Sequence, residues 1–132
     1  MNDQLYDNCP SMTRLQFRKW TLDDAQFVLD MYSLNDVYQY LGSNPAPLED
    51  ISRSVAAIQR WNDRTFGPQG FWAVIPKSGA FASTPIGAAL LLPLQRSDDL
   101  PSEDFEIGWH FHLKVWGNGY ATEAAIGLIN RA

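Results

Sequence analysis

The 132 residues contain a single cysteine, Cys9, so no disulfide can close within the chain and a reducing compartment is its natural setting. Basic residues are also scarce. Ten Lys and Arg stand against 15 Asp and Glu, a formal charge of −5. That balance argues against a nucleic-acid partner, which calls for a basic stripe, and it suits a cationic substrate such as an amine. The longest apolar run, Ile86–Leu92, falls far short of the roughly 20 residues that cross a bilayer. The opening MNDQLYDNCP has no basic segment followed by an apolar one, so no signal peptide is expected. These absences predict a cytoplasmic chain with no membrane association. Metal ligands are few as well. His110 and His112 alternate along one segment, but no third ligand pattern joins them and Cys9 is remote, so no metal site is expected.

Apolar material is plentiful: 45% of residues are hydrophobic, with five Trp, seven Phe and five Tyr, enough for one packed domain. Residues 1–12 are polar and aperiodic and read as a flexible N-terminus, leaving 13–132 as the domain. Leu15 and Phe17 alternate with Arg14, Gln16 and Arg18, predicting a half-buried first strand. Thr21 with Asp24 three residues on forms a capping-box variant opening a helix whose stripe is Leu22, Ala25, Val28, Leu29 and Tyr32. A short helical piece follows over Asn35–Leu41, ending at Gly42. After SNPAP, a longer helix carries Leu48, Ile51, Val55, Ile58 and Trp61 on one side. FWAVIP reads as a buried strand, KSGAFAST as a hairpin-like connection, and Pro85–Leu92 as a third strand. A polar loop over Gln95–Glu103 leads to the strand Phe105–Phe111 and a helix from about Tyr120. The order β, α, α, β, β, β, α is an α/β pattern.

The densest chemical signal is Phe105–Ala125, FEIGWHFHLKVWGNGYATEAA. A strand runs through a turn punctuated by Gly117 and Gly119 into a helix. Glycine allows dihedrals closed to other residues and close backbone approach, turn amides converge into an anion nest, and the helix offers unpaired N–H groups at its positive end. The N–H groups of Trp116, Gly117, Asn118, Gly119, Tyr120 and Ala121 are therefore candidates for holding a diphosphate. No GK[ST] follows the glycines, which weakens a P-loop reading. Strand alternation puts Glu106, Gly108, His110 and His112 on one side. His110 has a reference pKa suited to a general base, although a strand histidine is more often simply packed. Glu123, one turn into the helix, reads as a dipole-favourable residue. Asp98, Asp99, Glu103 and Asp104 make an acidic loop, read as solvated. Tyr32, Tyr38 and Tyr40 are assigned to the core or the acceptor side.

Ile107-Gly108-Trp109, the spacer Phe111–Val115 and the run Trp116-Gly117-Asn118-Gly119-Tyr120-Ala121-Thr122-Glu123-Ala124 together resemble the acyl-CoA-binding core of the GNAT N-acetyltransferase superfamily. The likeness is greatest to its branch of ribosomal-protein N-terminal acetyltransferases. Looser agreement over Leu15–Arg18, the helix capped by Thr21, and Pro85-Ile86-Gly87 extends the resemblance over 13–132. It implies a GNAT-like mixed, mostly antiparallel sheet flanked by helices, lacking a final strand, helix and strand, and acetyl-CoA as cosubstrate. It also implies direct transfer to a primary amine on a small molecule or peptide, in this branch a protein N-terminus. Trp109, His110 and Phe111 would expose main-chain groups to pantetheine and the thioester oxygen, Glu106 would serve as base with His110 as a second candidate, and Asp30–Trp61 would shape the acceptor pocket. Three alternatives stay open: a non-catalytic domain that binds CoA or a protein partner, a domain that holds a different phosphate ligand through the same turn, and a homodimer formed through the exposed strand edge.

Overall fold

The computed structural model describes residues 5–6, 14–39, 46–65, 67, 69–93 and 105–131. Five strands form one sheet in the order β1-β2-β3-β4-β5: β1 (Leu5–Tyr6), β2 (Leu15–Arg18), β3 (Gly70–Pro76), β4 (Gly87–Pro93) and β5 (Phe105–Phe111). Every pairing is antiparallel, and each strand lies beside the one before it; no parallel pair occurs among the described strands. Within the segment 1–12, Leu5–Tyr6 pairs with β2, Leu5 with Arg18 and Tyr6 with Phe17. The rest of that segment lies outside the described residues, as do Tyr40, Gly42 and the acidic loop. β3 is buried along nearly its whole length, which is why FWAVIP is continuously apolar: helices cover both of its faces.

Each face of the sheet carries its own core. On one, Leu15, Phe17, Trp72, Val74, Ile86, Ala89, Leu91 and Phe111 pack with Val115 and with Ala124 and Leu128 of α4 (Tyr120–Arg131). On the other, Ala73, Ile75 and Ala88 meet Val28, Met31 and Tyr32 of α1 (Ala25–Tyr32), Val37 of α2 (Asn35–Tyr38) and Ile58 of α3 (Ile51–Asp63). Small side chains on the second face (Ala73 pairs with Ala88) leave room for Tyr32 and Trp61, whose rings lie 5.8 Å apart.

Two helix starts show how local chemistry sets the boundaries. α3 begins at Ile51 because Asp50 is its N-cap, accepting from the Arg53 N–H at 3.0 Å. Leu48 therefore precedes the helix, and the buried stripe is Ser54, Ala57 and Ile58, with Ile51 44% exposed. Leu48, Val55 and Trp61 pack against the same core as expected, so the correction concerns Ile51 and the helix start alone. At the other start, the Asp24 carboxylate accepts from the Thr21 N–H at 2.9 Å, as the capping box requires. A short 3-10 turn over Leu22–Asp24 precedes α1. Asp24, only 6% exposed, also takes both guanidinium nitrogens of Arg18, at 2.7 and 2.9 Å. This ion pair ties β2 to the helix that carries Tyr32.

Candidate functional site

β5 ends the strand order, so one of its edges has no partner among the described strands. The His112 N–H donates to the Ile86 carbonyl at 3.0 Å, and Ala88↔His110 stands two residues along in the same register. Residues in hydrogen-bonded antiparallel pairs exchange both bonds. The backbone groups of His110 and Gly108 therefore point at β4, while those of Ile107, Trp109 and Phe111 point out along the open edge. Side chains alternate the other way. Phe111 and Ile107 join the core under α4, and His110 faces α1. Of the three positions expected to offer main-chain groups, Trp109 and the N–H of Phe111 face the open edge, the Phe111 carbonyl being taken by the Trp116 indole; the backbone of His110 belongs to the sheet, and its ring faces α1.

Past β5 a 3-10 turn (Leu113–Val115) leads into the glycine loop. Gly117 and Gly119 adopt φ of +86° and +76°, the left-handed region that side chains resist. A Cβ on Gly117 would meet no atom within 4 Å, so the demand there is conformational. The loop is fastened on all sides. Asn118 Nδ2 donates to the Val115 carbonyl at 2.8 Å, and Trp116 Nε1 to the Phe111 carbonyl at 2.9 Å. Arg14 donates through Nη1 to the Asn118 carbonyl at 3.0 Å and through Nε to Glu123 Oε1 at 2.8 Å, while its N–H reaches Glu123 Oε2 at 2.9 Å. Its guanidinium also lies 4.7 Å from the Tyr120 ring centre. Glu123 therefore anchors α4 to Arg14, the residue just before β2, as well as being dipole-favourable, and Arg14 offsets its negative charge beside the helix N-terminus.

The Trp116 N–H is bonded to the Leu113 carbonyl at 3.1 Å, and the first helical bond runs from the Glu123 N–H to the Gly119 carbonyl at 3.2 Å. Trp116 is thereby corrected as an amide donor; it contributes its ring. Among the described residues, no backbone bond outside regular elements starts from Gly117, Asn118, Gly119, Tyr120 or Ala121, and first-turn N–H groups have no partner within a helix.

These groups border a cleft of about 360 Å³, within the range of small-molecule sites. It is lined by Trp109, His110, Phe111, Val115 and Trp116, by Gly117, Gly119, Tyr120, Ala121 and Thr122 of the loop and helix end, and by Asp36 and Val37 of α2. The cleft thus joins both faces of the sheet at the open edge of β5, with the free amides on the α4 side. Glu106 lies on the His110 side of the strand but about 13 Å away at roughly 3.3 Å per residue; it is exposed and does not line the cleft. Asn118 is held at its border by its own amide and carbonyl.

At the centre, the Tyr32 hydroxyl and His110 Nδ1 are 2.7 Å apart, with the rings edge to face at 5.5 Å. Burial pushes the Tyr32 phenol well up and the His110 imidazole down. His112 is also pushed down, by burial first and then by Lys114, with Asp30 opposing. Its Nδ1 accepts from the Lys114 N–H at 3.1 Å. Among the described residues no cluster of three or more His, Cys, Asp or Glu is poised to hold a metal, and no helix is long and apolar enough to cross a membrane.

Arg14, Asp36, Val37 and Thr122 were not singled out from the sequence. Arg14 acts across 109 residues on Glu123, and no local pattern signals such a partner. Asp36 falls on a four-residue helix too short for periodicity to orient.

An antiparallel sheet whose open last strand turns through glycines into a helix N-terminus defines the chain as an α/β domain. Residues 14–132 match the acetyltransferase (GNAT) domain, and the chain belongs to that family. It is 29% identical over 118 residues to an uncharacterised N-acetyltransferase p20 of Bacillus licheniformis, covering 89% of this chain and 61% of that protein. Among solved structures, an acetyltransferase of the GNAT family from Bacillus anthracis superposes with a TM-score of 0.63 at 24% identity, over 86% of this chain and 59% of that one. Apo FdhC, described as a nucleotide-linked sugar GNAT, gives 0.64 at 15% identity over 95% and 65%. The fold is shared, and the chain spans about three fifths of the length of these relatives.

Proposed function

We propose that the chain binds acetyl-CoA along the open edge of β5 and serves transfer of the acetyl group to a primary amine. The observation that carries this reading is one cleft joining the free amides at the head of α4, the outward main-chain groups of Trp109 and Phe111, and the His110 ring. The diphosphate would sit on the N–H groups from Gly117 to Ala121, and pantetheine would run along the edge. The same edge was the expected seam for a homodimer; on this reading the cosubstrate occupies it.

The acceptor would enter from the α2 side, past Asp36, whose charge favours an ammonium. That ammonium must become neutral before it attacks. Glu106, on the same face of β5, would take the proton through water, since it stands outside the cleft. The Trp116–Ala124 run supports the branch that acts on protein N-termini, and the setting would be cytoplasmic.

Calorimetric titration with acetyl-CoA, with adenosine 3′,5′-bisphosphate as control, should give saturable micromolar binding to the folded chain; a folded chain that takes up no acetyl-CoA overturns the reading. Arg14→Ala should weaken acetyl-CoA several-fold, on the order of 1–2 kcal/mol for lost charge-assisted hydrogen bonds, by freeing the Asn118 carbonyl and Glu123. An unchanged affinity would show that the loop holds its shape without Arg14.

A further inference from the structure

We propose that Tyr32 is a positioning residue that holds His110 as a neutral ring protonated on Nε2, so that His110 donates a hydrogen bond to the thioester oxygen instead of accepting the amine's proton. This rests on the acetyl-CoA reading of the cleft and assigns a role within it.

The argument starts from the buried hydroxyl. Tyr32 is 7% exposed, and His110 Nδ1, at 2.7 Å, is the partner of its hydroxyl among the described residues. A buried O–H with one partner donates to it, because acting only as acceptor would leave its proton unpaired away from water. Nδ1 is then the acceptor, and a neutral imidazole that accepts at one nitrogen carries its proton on the other. The burial that lowers His110 and raises Tyr32 keeps both neutral. The charged group of α2 at this cleft is Asp36; it is exposed, and no ion pair joins it to His110 among the described residues. α3 presents the Trp61 ring to Tyr32, and β4 presents Ala88 beside His110.

With Nδ1 engaged, the polar group left for the cleft is Nε2–H. The backbone N–H of His110 belongs to the sheet, so the ring is this residue's means of meeting an acyl oxygen. A fixed donor aimed at developing negative charge needs no reorganisation during reaction. In the transfer, the amine nitrogen forms a bond to the acyl carbon and the C–S bond breaks, the sulfur leaving with the electron pair. The amine's protons pass to water and to the thiolate, while the Nε2 proton stays on His110 throughout.

Two measurements test this. Long-range ¹H–¹⁵N correlation of the free chain should show His110 neutral with its proton on Nε2, and Tyr32→Phe should mix the tautomers or move the proton to Nδ1. A His110 protonated on Nδ1, or on both nitrogens at neutral pH, overturns the proposal. Isotope-edited infrared spectroscopy of bound [1-¹³C]acetyl-CoA should show a thioester carbonyl band shifted down relative to the free ligand. That shift should be lost in His110→Ala and partly kept in His110→Gln, which retains an N–H donor but no basic nitrogen. An identical band in the wild-type and His110→Ala chains overturns the donor role. If acetyl-CoA does not bind the wild-type chain at all, the cosubstrate reading fails and the donor role with it, whereas the nitrogen spectrum judges the Tyr32–His110 pair independently.

Discussion

Replacing Gly117 and Gly119 together with valine should abolish saturable acetyl-CoA binding while leaving a chain that still unfolds cooperatively. At φ of +86° and +76°, a β-branched residue costs about 1–3 kcal/mol at each position, and the open space around Gly117 offers nothing to offset it. The loop would relieve that strain by moving both residues to negative φ, which turns the amides from Gly117 to Ala121 away from their common direction. Two such penalties correspond to a loss of about 30-fold or more in affinity, enough to move a micromolar site out of the calorimetric range. Stability should fall less, because Gly117 and Gly119 are exposed and the contacts under α4 are made by Ala124 and Leu128. Gly67→Val is the control: φ is +57° with no neighbour within 4 Å, and Gly67 does not line the cleft. It should carry a similar backbone penalty and leave binding intact. Double-valine protein that still binds at wild-type affinity would remove the glycine loop from the site.

What the sequence made legible and what it did not divide along one physical line. The β5–loop–α4 unit is local: strand alternation, two glycines and a helix start stand within about twenty residues, and their geometry follows from backbone sterics and free amides alone. The capping box at Thr21 and Asp24 is local in the same way. The rest depends on who lies next to whom. Which backbone groups of β5 face outward follows from its register with β4, so His110, placed with Trp109 and Phe111 by sequence, contributes a ring where they contribute backbone. Tyr32 and His110 are 78 positions apart, and a tyrosine on an apolar stripe looks the same whether or not its hydroxyl has a partner. Glu106 shows the limit of face assignment: alternation puts it on the His110 side, but distance along the strand keeps it out of the cleft. For Trp116, proximity to the glycines suggested a free amide, and the 3-10 turn before it, which binds that amide, has no strong sequence signature.

Asp24→Ala should destabilise the fold by about 3 kcal/mol, the lower end expected for breaking a buried ion pair, since the Arg18 side chain keeps 19% exposure against 7% for Asp24. Four bonds go at once: both guanidinium contacts and the acceptor for the Thr21 N–H and hydroxyl. Arg18 is left without its counter-ion, and at this chain length the loss lowers the melting temperature by roughly 10 °C. Asp24→Asn should fall between, because its carbonyl can still accept from Thr21 while the charge is gone. The double replacement Arg18→Met with Asp24→Leu should recover much of the loss, since removing both charges also removes their desolvation. Urea denaturation of the four proteins separates these cases. The consequence reaches the cleft, because Asp24 seats the start of α1 on β2 and the far end of α1 carries Tyr32. If Asp24→Ala kept wild-type stability, Arg18 would be satisfied by water in place of Asp24, and packing by Val28 and Met31 alone would have to hold Tyr32 against His110.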